Sequence, residues 1–507
     1  MKNNSSKIIK NFLWFGILQI VNILVGFILP RMYLKIYGSE VNGIISTINN
    51  FISYFSYVEA GVGLTLMYSL FKPLAEKNYS GIDNVVTTAK KSYFKISFIY
   101  FFLVVGLTII FPIVSKDTTL SFIEFALLIF VIGLYGALDY FFMAKYRVLL
   151  TADQKEYVIA IAMSIAQLIR FVLTFLLLQI EGISVVLAKC APILTIFLRT
   201  IILKIYVKKK YPQITFKSNS EEKVDLKNNY NALLMQIGIS LNISFPAIIV
   251  SQISGYMDSS VFSVYHFVVS TVISLISIFS SGISPTLGKK ISKGENVKNA
   301  FEEYAHFINI VTQILFVVTI ILFIPFIRLY TDIVSDIEYV NLNYAILFVI
   351  FGVTYASRIP YTAVINASGL YKENQFHSIL NIIILLVSSM LLTYYFSIIG
   401  ALISAIITAF HRNVSMLFVC KNRINFNWIK ILLNQSFSIV IVVIVHFIIN
   451  YLVDVNNLIN SFGTLIIVGI ISIICSGVLL VLINFLLDLK SSKNLLNRIK
   501  NIILGRR

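Results

Sequence analysis

Charge is what this chain has least of. Only 13% of its 507 residues are charged, and acids are the scarcer sign, 23 against 41 basic residues. A soluble domain carries about a quarter charged residues, so an ordinary water-facing surface is excluded. Cysteine is rare as well. Cys190, Cys420 and Cys475 lie far apart in apolar runs, with neither metal-ligand spacing nor a disulfide framework. No GxxxxGK[ST] phosphate loop occurs, so the chain is not expected to hydrolyse ATP itself. No nucleophile–base pair is evident. The five histidines (His266, His306, His377, His411, His446) are scattered and read as packed or interfacial side chains. These absences point away from an enzyme and from a bound metal or cofactor. H+ or Na+ remains, as a coupling ion.

Apolar residues are what the chain does have. They make up 58% of the sequence, and mean hydropathy is +0.87. A bilayer span takes about 20 such residues. Fourteen runs qualify, at 11–30, 41–71, 93–114, 120–149, 157–180, 183–206, 229–252, 260–287, 305–329, 339–367, 376–395, 398–419, 431–452 and 461–487. The start, MKNNSSKIIKNFLWFG, has no small-residue cleavage site after its apolar run and reads as the first span, not a removable signal. With the N-terminus inside, the cytoplasmic segments hold 33 of the 41 Lys and Arg, and the outer loops hold four. That bias follows the positive-inside rule and puts both termini in the cytoplasm. The net charge of +18 is therefore an orientation signal and no footprint for nucleic acid.

The chain also echoes itself. At a shift of 220, Asn11 falls on Asn231, Leu13 on Leu233, Asn22 on Asn242 and Ile28 on Ile248. At a shift of 219, Ala137 falls on Ala356 and Ala144 on Ala363. Blocks repeating at nearly one offset indicate a duplicated six-span unit, arranged as parallel repeats. The expected fold is an all-α integral membrane protein of about 14 transmembrane helices. Residues 1–206 form an N-lobe, 207–228 a basic cytoplasmic linker, 229–420 a C-lobe, 421–489 two further spans, and 490–507 a basic amphipathic tail suited to a membrane interface.

Ionisable residues inside spans are site hypotheses by default. Arg170 lies too deep in span 5 to snorkel easily. Lys189 and Arg199 in span 6 are each about two turns from an interface, where snorkelling competes with a cavity role. Arg358 in span 10 aligns with Asp139 in span 4, and the two either pair or face one cavity. Arg31, at the outer end of span 1, is a snorkelling anchor or a cation for an anionic headgroup, since a guanidinium binds phosphate bidentately. Glu59 is a partner for one of these cations or a protonation switch. Gly26, Pro30, Gly61 and Pro246 are candidate hinges, because neighbouring helices can re-satisfy a bent backbone in the membrane. Tyrosines such as Tyr33, Tyr54, Tyr57, Tyr68, Tyr140 and Tyr361 serve belts and packing, or stack on sugar rings.

The N-terminal pattern carries a resemblance. An Asn-rich first span ends in Pro30-Arg31-Met32-Tyr33, followed by Tyr37-Gly38-x-Glu40-x-Asn42-Gly43 and then Glu59-Ala60-Gly61. It resembles Wzx-type polysaccharide flippases of the multidrug/oligosaccharidyl-lipid/polysaccharide (MOP) exporter superfamily, which also holds the MATE exporters and the lipid II flippases. The resemblance covers essentially the whole chain. It implies two lobes around a cationic cavity that alternates in access, in a monomer of the bacterial cytoplasmic membrane. The implied substrate is an undecaprenyl-pyrophosphate-linked oligosaccharide. Membrane lipids, a polysaccharide polymerase and glycosyltransferases are the implied partners. Arg31 matches the family's first-span arginine, and Glu59-Ala60-Gly61 its acidic-x-Gly. Ser251, not a second arginine, sits opposite Arg31 in the repeat. A MATE-like drug or metabolite antiporter is the alternative. A membrane glycosyltransferase or polymerase is disfavoured, because the loop after span 9, IRLYTDIVSDIEY, is too short for an outer catalytic domain. A purely structural membrane protein is disfavoured by the buried charges.

Overall fold

The computed structural model describes residues 2–59, 62–115, 118–218, 230–281, 287–288, 290–291, 295–452, 455–489 and 492–493. Gly61 and the bulk of the 490–507 tail lie outside the described residues, as does the linker beyond 218. Among the described residues every regular element is a helix. That is the expected solution where backbone groups have no water to bond and must be satisfied within one segment. Among the described residues eleven helices are long and apolar enough to cross a membrane. Two of these are each a pair of spans joined through a kink, at Gly38 and at Ser397. The span expected at 229–252 is the helix Tyr230–Ile253. The fourteen runs read from the sequence thus reappear as helical segments of a multi-pass membrane protein.

The chain divides into two compact units, Met1–Leu233 and Leu234–Arg507. Unit 1 contains α1 (Lys2–Phe55), a 3-10 turn (Ser56–Glu59), α2 (Val62–Glu76), α3 (Tyr79–Val114), α4 (Phe122–Phe142), α5 (Ala144–Ala152), α6 (Glu156–Leu177), α7 (Val185–Ala188) and α8 (Ala191–Lys210). Gly26 and Pro30 sit within continuous helix. The backbone breaks later, at Gly38, whose φ of 77° only glycine adopts without strain. Polar side chains cap the apolar runs: Asn78 accepts from the Gly81 amide at 3.0 Å, opening α3, and Ser121 from the Glu124 amide at 3.3 Å, opening α4. The second span is not one helix. It breaks at the 3-10 turn that carries Glu59.

The asparagines of the first span are structural. Asn22 accepts from Gln167 at 2.7 Å, and Asn11 accepts from the Tyr157 amide at 2.8 Å, so both fix α1 to the α6 side. The core of unit 1 combines Ile82, Val86, Val104, Leu149 and Ala162 with Tyr93, Tyr100 and Tyr140. Large apolar side chains such as Phe102 (65% exposed) and Ile113 (67%) point outward instead. On a soluble protein such a surface would be an interaction patch; here it suits hydrocarbon.

Unit 2 contains α9 (Tyr230–Ile253), α10 (Tyr256–Ser281), α11 (Lys298–Thr331), α12 (Leu342–Ala356), α13 (Ile359–Ser368), α14 (Gln375–Lys421), α15 (Trp428–Leu452), α16 (Val455–Leu458) and α17 (Phe462–Leu487). Pro246 lies inside α9. At Ser397 (φ 50°, ψ −131°) α14 folds back on itself. Ser404 bonds both Ser388 and Ser389 across the two halves. Its core is aromatic, with Tyr265, Phe301, Phe316, Phe323, Phe348 and Tyr361 almost fully buried.

Candidate functional site

Two acids and four cations meet inside unit 1. Tyr135 and Asp139 are one helical turn apart on α4 and so share a face. Arg199 of α8 meets that face: its Nη2 donates to the Tyr135 hydroxyl at 3.0 Å and lies 3.0 Å from Asp139 Oδ1. Asp139 Oδ2 is taken by Arg147 of α5, also at 3.0 Å. Asp139 therefore bridges two guanidiniums within its own unit. Arg199 is 4% exposed, so it does not snorkel; it is a buried, paired cation.

The network continues on both sides. Beyond Arg147 lies Glu59, within electrostatic range of that guanidinium. The Tyr93 hydroxyl donates to Glu59 Oε1 at 2.7 Å, and Tyr140 bonds the same carboxylate. The two phenol rings stack, with centroids 6.3 Å apart and planes 8° from parallel. On the other side Arg170 of α6 lies within range of Arg199, Tyr135 and Tyr33. The Lys189 ammonium sits 3.7 Å from the Tyr33 ring centroid, a cation–π contact. Tyr33 itself donates to the Ala188 carbonyl at 3.2 Å. Arg31 is half-buried on α1, two residues before Tyr33.

Arg147 and Arg199 thus share Asp139, and Arg147 also faces Glu59. Arg170 and Lys189 extend the cluster past Arg199 with no acid of their own among the described residues, so four basic side chains stand against two acids. Their accessibility differs: Arg199 is nearly sealed, with 5% of its side chain exposed, while Arg147, Arg170 and Lys189 are half-buried. A buried cation without a matching acid is costly unless something anionic comes to it. Chemically the cluster can hold an anion at Arg170 and Lys189, while Asp139 and Glu59 neutralise Arg199 and Arg147.

The sequence-predicted residues divide as follows. Asp139, Arg199, Arg170, Lys189 and Glu59 are brought together. Arg358 belongs to unit 2, where its guanidinium lies 3.4 Å from the Tyr355 ring centroid. Ser251, the repeat counterpart of Arg31, is 2% exposed and bonds the Ile248 carbonyl at 2.7 Å. Of the tyrosines, Tyr33, Tyr140 and Tyr361 are buried, and Tyr68 is 64% exposed. Sequence reasoning misses Arg147 and Arg412, because both sit near inner helix ends and count as cytoplasmic charge. The available signal is that both still fall within the apolar runs, Arg147 in 120–149 and Arg412 in 398–419.

No family model matches the chain, and no curated relative does. Solved structures do. The lipid II flippase MurJ in an inward closed conformation aligns with a TM-score of 0.62 at 16% identity, over 94% of this chain and 99% of its own. A multidrug resistance MATE family transporter of the MOP superfamily, inward-facing, aligns at 0.61 and 16%, over 80% of this chain and 94% of its own. A MOP superfamily transporter from Pyrococcus furiosus, described as having a binding pocket of reverse polarity, aligns at 0.57 and 15%, over 82% and 95%. At such identity the likeness is one of fold. The chain has the MATE-like helical fold, which it shares with MATE transporters and with the lipid II flippase.

Proposed function

We propose that this protein is a MOP-type flippase that moves an anionic, lipid-linked oligosaccharide, undecaprenyl-pyrophosphate-bound, from the inner to the outer leaflet by alternating access. The observation that carries this reading is the cation excess of unit 1, where the half-buried Arg170 and Lys189 lie beside Arg199 and Tyr33 with no acid within ion-pair distance among the described residues. A pyrophosphate headgroup cannot cross hydrocarbon unaided, because burying an unpaired charge costs many kcal/mol. Guanidiniums lower that barrier with bidentate bonds to phosphate oxygens. An inside-negative potential also favours outward movement of an anion, by about 2.3 kcal/mol per charge per 100 mV. No covalent chemistry is required. In this reading the protein is a monomer of the bacterial cytoplasmic membrane, serving capsule, O-antigen or exopolysaccharide synthesis beside a polymerase and glycosyltransferases.

A second reading has an observation of its own. Glu59 is bonded by two phenols close to Arg147, an arrangement that suits a carboxylate exchanging protons in a drug or metabolite antiporter.

The test is transport in liposomes of a labelled undecaprenyl-pyrophosphate oligosaccharide, with wild type beside Arg147→Gln and Arg170→Gln. Translocation reduced at least tenfold in the variants, at equal reconstitution, supports the flippase. Drug–proton exchange abolished by Glu59→Gln, with no lipid movement, moves the chain to the antiporter reading.

A further inference from the structure

Unit 2 buries a second cationic centre, and there no acid accompanies it. Arg412, on the second half of α14, is 1% exposed, and Arg358, between α12 and α13, is 6% exposed. The two guanidiniums lie within electrostatic range of each other. Among the described residues neither has a carboxylate within ion-pair distance. Arg412 makes one hydrogen bond, from Nη1 to Asn374 Oδ1 at 3.3 Å, while its Nε and Nη2 have no partner. The asparagines beside it add further unmatched donors. Asn374 and Asn381 are both fully buried with their Nδ2 groups unpaired. The fold-back at Ser397 brings these groups to one end of the α14 hairpin: Asn381 Oδ1 meets His411 Nδ1 at 3.1 Å, one residue from Arg412.

Buried donors without acceptors are rare in native proteins, and each calls for a cause. Arg358 stacks on and bonds Tyr355, so the unmatched donors are Arg412 Nε and Nη2 and the two amide groups. The unmatched acceptors nearby, Asn413 Oδ1 and Gln435 Oε1, are neutral and leave both guanidinium charges without an acid. Asn374 Oδ1 and Asn381 Oδ1 are already in use, and repacking onto the remaining amide oxygens cannot neutralise two buried charges. An acceptor must come from outside, and it must be anionic, since a neutral acceptor leaves two positive charges buried. A guanidinium edge offers parallel N–H groups that fit two oxygens of a tetrahedral oxyanion, with remaining oxygens free for amide donors. A single-atom halide cannot take them all.

We infer that the Arg358–Arg412 cluster of unit 2, with Asn374 and Asn381, is a binding site for a phosphate-type oxyanion. The site lies toward the side that the charge bias of the sequence assigns to the cytoplasm. Its occupant is inorganic phosphate or the phosphate group of a lipid. The site stands whether or not the chain moves lipid-linked sugars, because among the described residues Arg358 and Arg412 have no acid within ion-pair distance in either case.

The test is equilibrium dialysis of the delipidated full chain in detergent against labelled inorganic phosphate, and separately against undecaprenyl phosphate. Melting curves are recorded in the same buffers. The expected result is saturable binding of one phosphate group per chain. Arg412→Met abolishes it, and Arg358→Gln or Asn381→Ala weakens it about tenfold or more, as loss of a charge-assisted bond does. In anion-free buffer Arg412→Met melts above wild type, since it removes an unmatched buried charge. Should Arg412→Met not fold, the other two variants decide. Binding of inorganic phosphate identifies a free anion as occupant, and binding of the lipid phosphate alone identifies a headgroup. No saturable binding of either, binding unchanged in Arg358→Gln and Asn381→Ala, or equal protection by chloride each overturns the inference.

Discussion

Arg199 and Asp139 meet at 3.0 Å between α8 and α4, and this pairing fixes which way the charges of unit 1 face. Asp139 is held from its other oxygen by Arg147, so one carboxylate orders two guanidiniums. Of the two, Arg147 is the more accessible, with 27% of its side chain exposed against 5% for Arg199.

Asp139→Asn is therefore expected to destabilise the fold. Removing one partner of a buried ion pair costs about 3–5 kcal/mol. Asp139 is 15% exposed, which puts the cost near the lower end, about 3 kcal/mol. The double variant Asp139→Asn/Arg199→Gln should lose less than the two single losses added, because the stranded cation is gone. Thermal unfolding of the four proteins measures this cycle. Strict additivity would mean that the pair contributes nothing.

Gly63 and Gly106 make a matched comparison. A Cβ on Gly63 would lie 2.9 Å from the Tyr93 hydroxyl and 3.2 Å from Glu59 Oε1, while one on Gly106 meets nothing within 4 Å. Gly63→Ala must displace the phenol or the carboxylate, at an overpacking cost of about 1–3 kcal/mol. Gly106→Ala is expected to be neutral or stabilising by about 0.5–1 kcal/mol, since alanine loses less entropy in a helix. Melting temperatures should move in opposite directions, and a fall for both would contradict this picture of the Glu59 pocket.

Most of the architecture was legible in the sequence, because a bilayer leaves few ways to satisfy a backbone. Apolar length gives the spans, and the Lys and Arg distribution gives a candidate orientation. Asp139, Arg199 and Arg170 stand out because intramembrane charge is costly. Their partnership does not: Arg358 aligns with Asp139 by repeat position, yet Asp139 pairs with Arg147, across the short break between α4 and α5. That break falls inside what reads as one span, 120–149. The fold-back at Ser397 falls at the break between the runs 376–395 and 398–419, but that it places Asn374 and Asn381 beside Arg412 follows from packing and not from any local pattern. Glu59 reads as a mid-helix charge, while the chain places it on a 3-10 turn.

The segment after α8 is strapped to unit 1 by one acid. Asp83 accepts from the Thr215 and Phe216 amides at 3.0 and 2.8 Å and from the Thr215 hydroxyl at 2.7 Å. Bonds to a charged acceptor contribute about 1.5–3 kcal/mol each, so Asp83→Ala should release residues 211–218 from α3 with the rest of the unit folded. Trypsin cleavage after Lys217 is expected to accelerate at least tenfold, with little change in the melting temperature. Unchanged cleavage would show that the strap is held by Tyr211, whose hydroxyl bonds Asp153 and accepts from Lys155 at 2.8 Å. Burial, and then Asp153, pushes the Tyr211 phenol up, so it stays protonated as the donor to Asp153 throughout the neutral range.

The last two long helices are joined to α11 by a polar seam, and its strength separates two expectations. Gln313 Nε2 donates to Ser438 Oγ at 2.8 Å, Ser438 donates to Asn309 Oδ1 at 2.9 Å, and Asn484 Nδ2 donates to Gln313 Oε1 at 2.5 Å. In a water-soluble core, stranding a buried amide would cost about 1–3 kcal/mol. Between membrane helices the measured contribution is smaller, about 0.6 kcal/mol on average and about 1.7 at most, because the unfolded chain in lipid finds other partners. Ser438→Ala should therefore cost about 1 kcal/mol. Gln313→Leu should cost more, because both Ser438 and Asn484 lose their partner. Reversible unfolding in bicelles or mixed micelles reads both. A Ser438→Ala loss well above 2 kcal/mol would mean that α15 and α17 dock as in a soluble core, through dry and cooperative polar contacts, and not through lipid-adapted packing.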